Sequence, residues 1–524
     1  PLFQRSVSLL EMTMSDSCLT DTDLARFVNE GHLVVRTTLP REFHNRLYAK
    51  IDEVFEKEGN PGNNILPRVP EIAQVYDDVA VRAALGRLLG PGYVMNPHRA
   101  THLNPPGSKG QSWHKDCYVY DHNLRHPRYR WVMAFYYPQD VTPDMGPTGV
   151  MPHQQWYQDI SDPDPSKATE EAQPLVGEAG TVSIVHFDCW HRAMANTSDR
   201  KRYMLKFQFS RTAEPVTAAE PMAVSDSSPP SWDQQAAISD DVWSWLHGTT
   251  PVHTEAESED VSSLVEALAS PDPVRRRQAA DQLACSGAAQ DALESLQRAL
   301  DDTDEAVRLN AAYALADAGE AGVSFLADRL RQDAMASEER AIAKTADNAH
   351  GTNPTAPVAA QALGVAPSAV EPLVQLLSDD HWYVRASAAD ALANRATQAP
   401  GVTPDLVKAA ADDHWWVRRN AMEALARGND MAGAALQTTS SGLRDEDYRV
   451  RRNAAIAIRR VDTPAADTLD GLAQMLNDEN RYNRFYAVDA LRSLSSTTPE
   501  AQKMLIDHLF TARWCSLTNA ESTF

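Results

Sequence analysis

The feature that most constrains this chain is a period. Val384-Arg385 opens the segment VRASAADAL, Val417-Arg418 opens VRRNAMEAL, Val450-Arg451 opens VRRNAAIAI and Asn483-Arg484 opens NRFYAVDAL, at an unbroken spacing of 33 residues. Upstream, Arg275-Arg276 opens RRRQAADQL and Val307-Arg308 opens VRLNAAYAL, 32 residues apart. A degraded copy, ERAIAKTADNA, begins at Glu339, and an insertion around 352–357 stretches the next interval to 45 residues. Self-similarity at this period marks stacked supersecondary units, none of which can bury its apolar face alone.

Within each unit Val, Ala and Leu fall at helical spacing on one face, and the second small residue lets helices approach closely. Another apolar helix precedes it, as in AVEPLVQLL at 370–378, and the loop between carries aspartates. Asp379 or Asp380, Asp412 or Asp413, and Asp447 are the expected N-caps of the second helices. The pattern predicts an all-α solenoid of helix pairs over 263–515, and it resembles the HEAT-like repeats of the short bacterial type. In the repeated DDHWYVR (379–385) and DDHWWVR (412–418), Asp is expected to cap and Trp to wedge against the neighbouring repeat. If exposed, these aromatics would instead form a partner-binding strip.

The first half has a different texture. Runs rich in β-formers, RYRWVMAFYY (128–137), GTVSIVHF (180–187) and RYMLKFQFS (202–210), are separated by Gly, Pro and Asp turns, the pattern of an antiparallel sandwich. Stretches with an apolar stripe precede them at Asp21–Asn29, Arg41–Lys57 and Val79–Leu89, and DDVWSWLHG (240–248) closes the region. The expected organisation is an extension at 1–19, a β-rich domain at 20–248, an acidic linker at 249–262, the solenoid at 263–515 and a tail at 516–524.

Charge narrows the partners. Lys plus Arg is 49 against 72 for Asp plus Glu, a net charge of −23, which repels phosphate backbones and anionic lipid. Neither nucleic acid nor a membrane is therefore an expected partner. No stretch reaches the roughly 18 apolar residues of a membrane helix, and the first 17 residues do not read as a signal peptide. Five scattered cysteines without a CxxC pair argue against a disulfide framework and for a reducing cytoplasm.

Chemistry concentrates in the β-rich half. WHKDCY sets His114 and Asp116 two residues apart, so on a strand both side chains point to one face. His191, in DCWHRAMANTSDRKR, offers a third ligand. Two histidines and one carboxylate on one face of a divalent ion leave positions open, the arrangement of non-haem Fe(II) oxygenases. Eleven residues beyond His191, Arg202 presents a planar guanidinium able to hold a dicarboxylic cosubstrate.

The order WHxD, DMGPTGVMP (144–152), then GTVSIVHFDCWHRAMANTSDRKR resembles the phytanoyl-CoA dioxygenase family of Fe(II)/2-oxoglutarate oxygenases, over about residues 20–248. The resemblance implies a double-stranded β-helix, a jelly-roll and cupin-like fold with flanking helices. It implies Fe(II) bound by His114, Asp116 and His191, 2-oxoglutarate held by Arg202, and O2 as oxidant. It also favours His191 over His186, which forms a second HxD with Asp188. Two departures stand out: Pro152-His153-Gln154-Gln155 where the family often has Pro-Gly-Ser-His, and Ala193 where it often carries a hydroxyl.

Tyr120 is a candidate cosubstrate wall, and Trp113, His102 and Tyr118 are candidate substrate contacts; packing within the core is the competing role for Tyr120, Trp113 and His102. The implied reaction is hydroxylation of a small organic molecule, acyl, amino-acid-derived or a natural-product intermediate, with release of succinate and CO2. Asp116 occupies the position halogenases leave open for chloride, which favours hydroxylation. The rival reading is a HEAT-type scaffold with an inactive oxygenase-like domain. In either case the solenoid is available to dock a protein partner or a second copy.

Overall fold

The computed structural model describes residues 19–116, 126–157, 172–215, 230–232, 235–249, 260–337, 355–428 and 431–511. The expected extension, most of the linker, the tail and the weak repeat copy after Glu339 lie outside the described residues. Among the described residues no helix is long and apolar enough to cross a membrane.

Among the described residues the N-terminal half carries eight strands: β1 (His32–Arg36), β2 (Val94–Asn104), β3 (Trp131–Tyr136), β4 (Thr148–Val150), β5 (Gln173–Leu175), β6 (Thr181–His186), β7 (His191–Ala193) and β8 (Arg202–Ser210). They form a five-stranded antiparallel sheet in the order β1-β6-β3-β8-β2 and a three-stranded one in the order β5-β4-β7. The expected sandwich is present, and the predicted runs become β3, β6 and β8. The edge strands β1 and β2 had no counterpart in the sequence reading. β2 breaks its own alternation with Asn96-Pro97, where its register against β8 shifts between Met95 and Arg99.

β8 is buried along its whole length because both of its faces are covered. Tyr203, Leu205, Phe207 and Phe209 join an apolar core with Leu24 and Phe27 of helix α1 (Asp21–Glu30), Leu47 and Ile51 of α2 (Arg41–Glu58), and Leu85 and Leu88 of α3 (Val79–Leu89). The alternate set, Arg202, Met204 and Lys206, faces a cavity between the sheets. A period of two thus sorts one strand into a structural face and a chemical one.

Helix α4 (Ala236–Leu246) leads to the solenoid, whose second helices include α5 (Pro273–Cys285), α6 (Glu305–Asp317), α7 (Trp382–Ala393), α8 (Trp415–Arg427), α9 (Tyr448–Ile458) and α10 (Arg481–Leu494). Four of the repeat arginines act between units. Arg276 pairs with Asp302, Arg385 with Asp412, Arg418 with Asp445 and Arg451 with Asp478, at 2.6–2.8 Å. The expected caps hold for Asp447 but not for the DDHW loops. There His381 and His414 are the N-caps, each accepting at Nδ1 from the N–H two residues on, at 3.2 Å. Asp379 and Asp412 sit two residues too early and accept the histidine N–H instead, at 3.0 and 2.8 Å. Trp382 does wedge between repeats, stacked 3.8 Å from the His414 ring and 5.6 Å from Trp416.

The two halves share one continuous apolar core. The first N–H groups of α4 donate to Asp281 of α5 at 2.8 and 3.1 Å, and burial pushes that carboxyl up to about 6. Arg128, ahead of β3, makes a two-point ion pair with Asp241 of α4 and donates to the Asn394 carbonyl. His126 pairs with Asp390 at 2.9 Å. Removing one member of a buried pair of this kind costs about 3–5 kcal/mol, so the seam is fixed rather than hinged.

Candidate metal centre

His114 lies in an extended segment that bridges β7: His114 N–H donates to the His191 carbonyl and His191 N–H to that of His114, both at 3.1 Å. The strand expected around WHKD is reduced to this one bridge, because residues 111–116 otherwise run outside both sheets. The pairing still brings the two imidazoles together, with ring centroids 4.5 Å apart and the planes tilted by 53°. Ligand atoms of His114, Asp116 and His191 all lie within 4.8 Å of one another.

The tautomers are set locally. Nδ1 of His114 is 3.0 Å from the Ser112 carbonyl and Nδ1 of His191 is 3.1 Å from that of Cys189, so each Nδ1 carries the proton and each Nε2 presents a lone pair. Burial lowers His191 to about 4, with Asp116 opposing, which keeps the ring neutral as a ligand must be. Asp116 is itself buried, which disfavours its charge, yet the Lys206 ammonium and the two imidazoles hold its carboxyl below the usual carboxylate range. Lys206 Nζ donates to Oδ2 at 2.5 Å, whereas the buried Oδ1 has no hydrogen-bond partner. One oxygen is therefore committed and the other is presented, 3.9 Å from His191 Nε2.

His114, His191 and Lys206 open on a cavity of about 170 Å³ whose lining also includes His102, Thr148 and Arg202. Arg202 is 1 % exposed; its Nε and Nη2 donate to the Gly146 carbonyl at 3.0 and 2.6 Å, and its Nη1 has no partner. Gly146, in the DMGP turn, has φ +65°, and a Cβ there would collide with Asn104 and the Met194 carbonyl. Glycine is thus required for the turn that aims the guanidinium. The residues fit the group they resemble a site for: neutral imidazoles, one available carboxylate oxygen, and an orphaned guanidinium nitrogen in a cationic cavity suit a divalent ion with a dianionic chelator.

Other expected residues fall on either side of this cavity. His102, on β2, lines it and is lowered to about 3 by burial and by Lys206. Trp113 does not line it; the ring packs on Met151 and Trp190 with the Arg192 guanidinium over it. Tyr118 and Tyr120 lie outside the described residues. His186 faces the outer core against Phe27 and Tyr129, on the opposite side of β6 from the site, and its Nδ1 accepts from Asp188 N–H. Cys189 is fully buried, its thiol pushed up to about 12.

Sequence reasoning missed Lys206, although it stands two pleats from Arg202 on the same face. It also missed a contribution from the solenoid. Tyr482 of α10 joins the apolar cluster on the inner face of the large sheet with Met133, Phe135 and Met204, and its hydroxyl lies 2.7 Å from His98 Nδ1 on β2.

Comparison with known proteins agrees with this division. Residues 29–204 match the phytanoyl-CoA dioxygenase (PhyH) family, and residues 261–346, 358–426 and 436–514 match HEAT repeats. Among solved structures the chain is similar to EctD from S. alaskensis with bound Fe, at 16% identity over 42% of this chain and 87% of that one, with a TM-score of 0.32. It is similar to SnoK, a non-heme alpha ketoglutarate dependent carbocyclase from nogalamycin biosynthesis, at 16% identity over 37% and 85%, TM-score 0.31. It is also similar to AviO1 from Streptomyces viridochromogenes Tue57, at 16% identity over 39% and 97%, TM-score 0.30. No curated protein matches the chain.

Proposed function

We propose, for a chain that joins a phytanoyl-CoA dioxygenase domain to a HEAT-repeat solenoid, that it is an Fe(II)/2-oxoglutarate-dependent oxygenase hydroxylating a small organic molecule. The observation that carries this reading is the coincidence of three converging ligand atoms, two of them from histidines that line the cavity, with an Arg202 nitrogen in the same cavity that no protein group satisfies. Bound iron with 2-oxoglutarate and O2 supplies oxidative decarboxylation to succinate and CO2, coupled to oxidation of a C–H bond.

The chain's own residues do the rest. His114 and His191 offer Nε2 with their rings fixed by backbone carbonyls. Lys206 occupies Oδ2 of Asp116, so that carboxylate would offer a metal one oxygen and leave room for cosubstrate. Arg202 would take the far carboxylate of 2-oxoglutarate, its spare Nη1 and its Nη2 forming a two-point contact. Met133, Phe135 and the solenoid's Tyr482 pack behind Met204, which lines the cavity, and this apolar backing would help keep water from the reacting C–H bond.

Anaerobic addition of Fe(II) and 2-oxoglutarate should produce a weak visible charge-transfer band, and substrate screening should find compounds that stimulate succinate release. Absence of both the band and succinate would sink the enzyme reading in favour of the scaffold.

A further inference from the structure

A second cavity, of about 60 Å³, lies where the end of the large sheet meets the solenoid. The sheet side contributes Arg130, just ahead of β3, and Arg211, just after β8. The solenoid side contributes Arg419 and Arg427 from α8, Arg452 from α9, and Arg459 and Arg460 directly after α9. Glu214, Glu423 and Asp489 are the acids in the lining. Seven guanidiniums against three carboxylates, 7 − 3, leave four surplus positive charges in a chain whose net charge is −23.

The pairing inside the cavity does not absorb that surplus. Glu214 and Glu423 are shared among Arg130, Arg419 and Arg427, and Asp489 meets Arg459 at 2.7 Å. Arg460 donates to the Ala426 carbonyl and Arg211 to the Leu88 carbonyl, contacts that satisfy hydrogens without cancelling charge. Arg211 is 7% exposed, and its Nε is buried with no hydrogen-bond partner. Elsewhere in the solenoid Arg276, Arg385, Arg418 and Arg451 each meet an Asp across a unit boundary, whereas Arg419 with Arg452 and Arg427 with Arg460, pairs 33 residues apart at equivalent repeat positions, converge with the sheet's Arg130 and Arg211 on this cavity. Like charges brought together out of water are costly unless a counter-charge joins them.

We propose that this cavity between the two domains binds a phosphate group, free or as the terminus of a phosphomonoester. Planar guanidiniums in several orientations match a tetrahedral dianion, and a volume of about 60 Å³ admits one such group rather than a whole nucleotide. Arg130 is depressed by burial and then by repulsion from Arg427, a repulsion that a bound dianion would relieve; burial lowers Arg211 to about 10. Because both domains supply donors, the ligand would clamp the solenoid to the sheet.

The test uses the full chain, titrated calorimetrically with inorganic phosphate and separately with glycerol 3-phosphate, at ionic strength held constant with chloride. One saturable site with Kd below about 1 mM is expected, weakened at least tenfold in Arg460→Gln and less in Arg460→Lys, while Ni(II) binding at His114, Asp116 and His191 is unchanged and reports a folded protein. Tighter binding of the ester identifies a phosphorylated metabolite as the ligand; tighter or equal binding of inorganic phosphate identifies the free ion. No saturable binding of either probe by the unaltered chain overturns the proposal even if the variants fail to fold, and so does wild-type affinity in a folded Arg460→Gln.

Discussion

Two buried arginines, one in each half of the molecule, have opposite fates. Arg418 in the solenoid spends its donors completely: Nε and Nη2 on the Asp445 carboxylate at 2.8 and 2.9 Å, Nη2 also on Glu446, and Nη1 on the carbonyls of Asp412 and Asp413. Arg202 directs two nitrogens at one carbonyl and leaves Nη1 with none. Folding explains the first guanidinium and leaves the second unexplained. A buried polar group that the protein could satisfy and does not is where a ligand belongs.

The contrast is tested hardest at the ligand atoms. His191→Ala should abolish tight Ni(II) or Co(II) binding and lower succinate formation by more than about 10³-fold, since a missing ligand also unseats Asp116 and His114. His186→Ala, on the opposite face of β6, should leave metal affinity within a few-fold of the unaltered protein. Calorimetric metal titration of both variants decides it; equal losses would mean that position on the strand does not separate ligand from core.

Arg202→Ala should raise the KM for 2-oxoglutarate about 30–100-fold, the equivalent of about 2–3 kcal/mol for a charged two-point contact, with Ni(II) affinity unchanged. The matching change in the solenoid, Arg418→Ala, should leave both constants alone and lower stability instead. A fall in thermal stability for Arg202→Ala as large as that for Arg418→Ala would erase the distinction.

The seam between the halves offers a third kind of buried charge, satisfied by hydrogen bonds and still strained. Asp281 accepts two N–H groups from α4, yet burial raises its carboxyl to about 6 from an ordinary 3.8. A folded-state pKa raised in this way contributes stability that is complete below pH 4 and lost as pH rises through 6. In Asp281→Asn the contribution is absent, so its unfolding free energy relative to the unaltered chain should rise by about 1–3 kcal/mol between pH 4 and pH 7. Denaturant titrations across that range would show it, and a pH-independent difference would refute it.

How much of this was legible follows from range. The proposed ligands His114, Asp116 and His191 and the proposed anchor Arg202 announce themselves through spacing, and the solenoid through its period. Lys206 was readable in principle, because β8 alternates and Arg202 fixes which face is chemical; the apolar neighbours of this Lys drew the reading toward core. The histidine caps were misread because an Asp pair is the commoner capping signal, and only backbone geometry shows that the extended residue is the one after it. The edge strand β2, broken by Asn96-Pro97, carries no alternation to read. The contact between His98 and Tyr482 joins residues 384 positions apart, and no local pattern encodes a pairing at that distance.

The smallest effect is the most discriminating about what burial does. Arg418 touches two carboxylates, Asp445 with a side chain 13% exposed and Glu446 with one 86% exposed. A count of ion pairs treats them alike. Solvent screening and side-chain entropy predict that Glu446→Gln changes stability by less than about 0.5 kcal/mol. Asp445→Asn removes charge from a two-point contact and from a carboxylate that also accepts the Asp447 N–H at 2.8 Å, and should cost about 1–2 kcal/mol. Denaturant midpoints for the two variants measure the ratio directly. Equal losses would mean that the repeat is held by charge alone; the expected inequality assigns its stability to the desolvated rung of the ladder, the same physics that makes the spare nitrogen of Arg202 costly to leave empty.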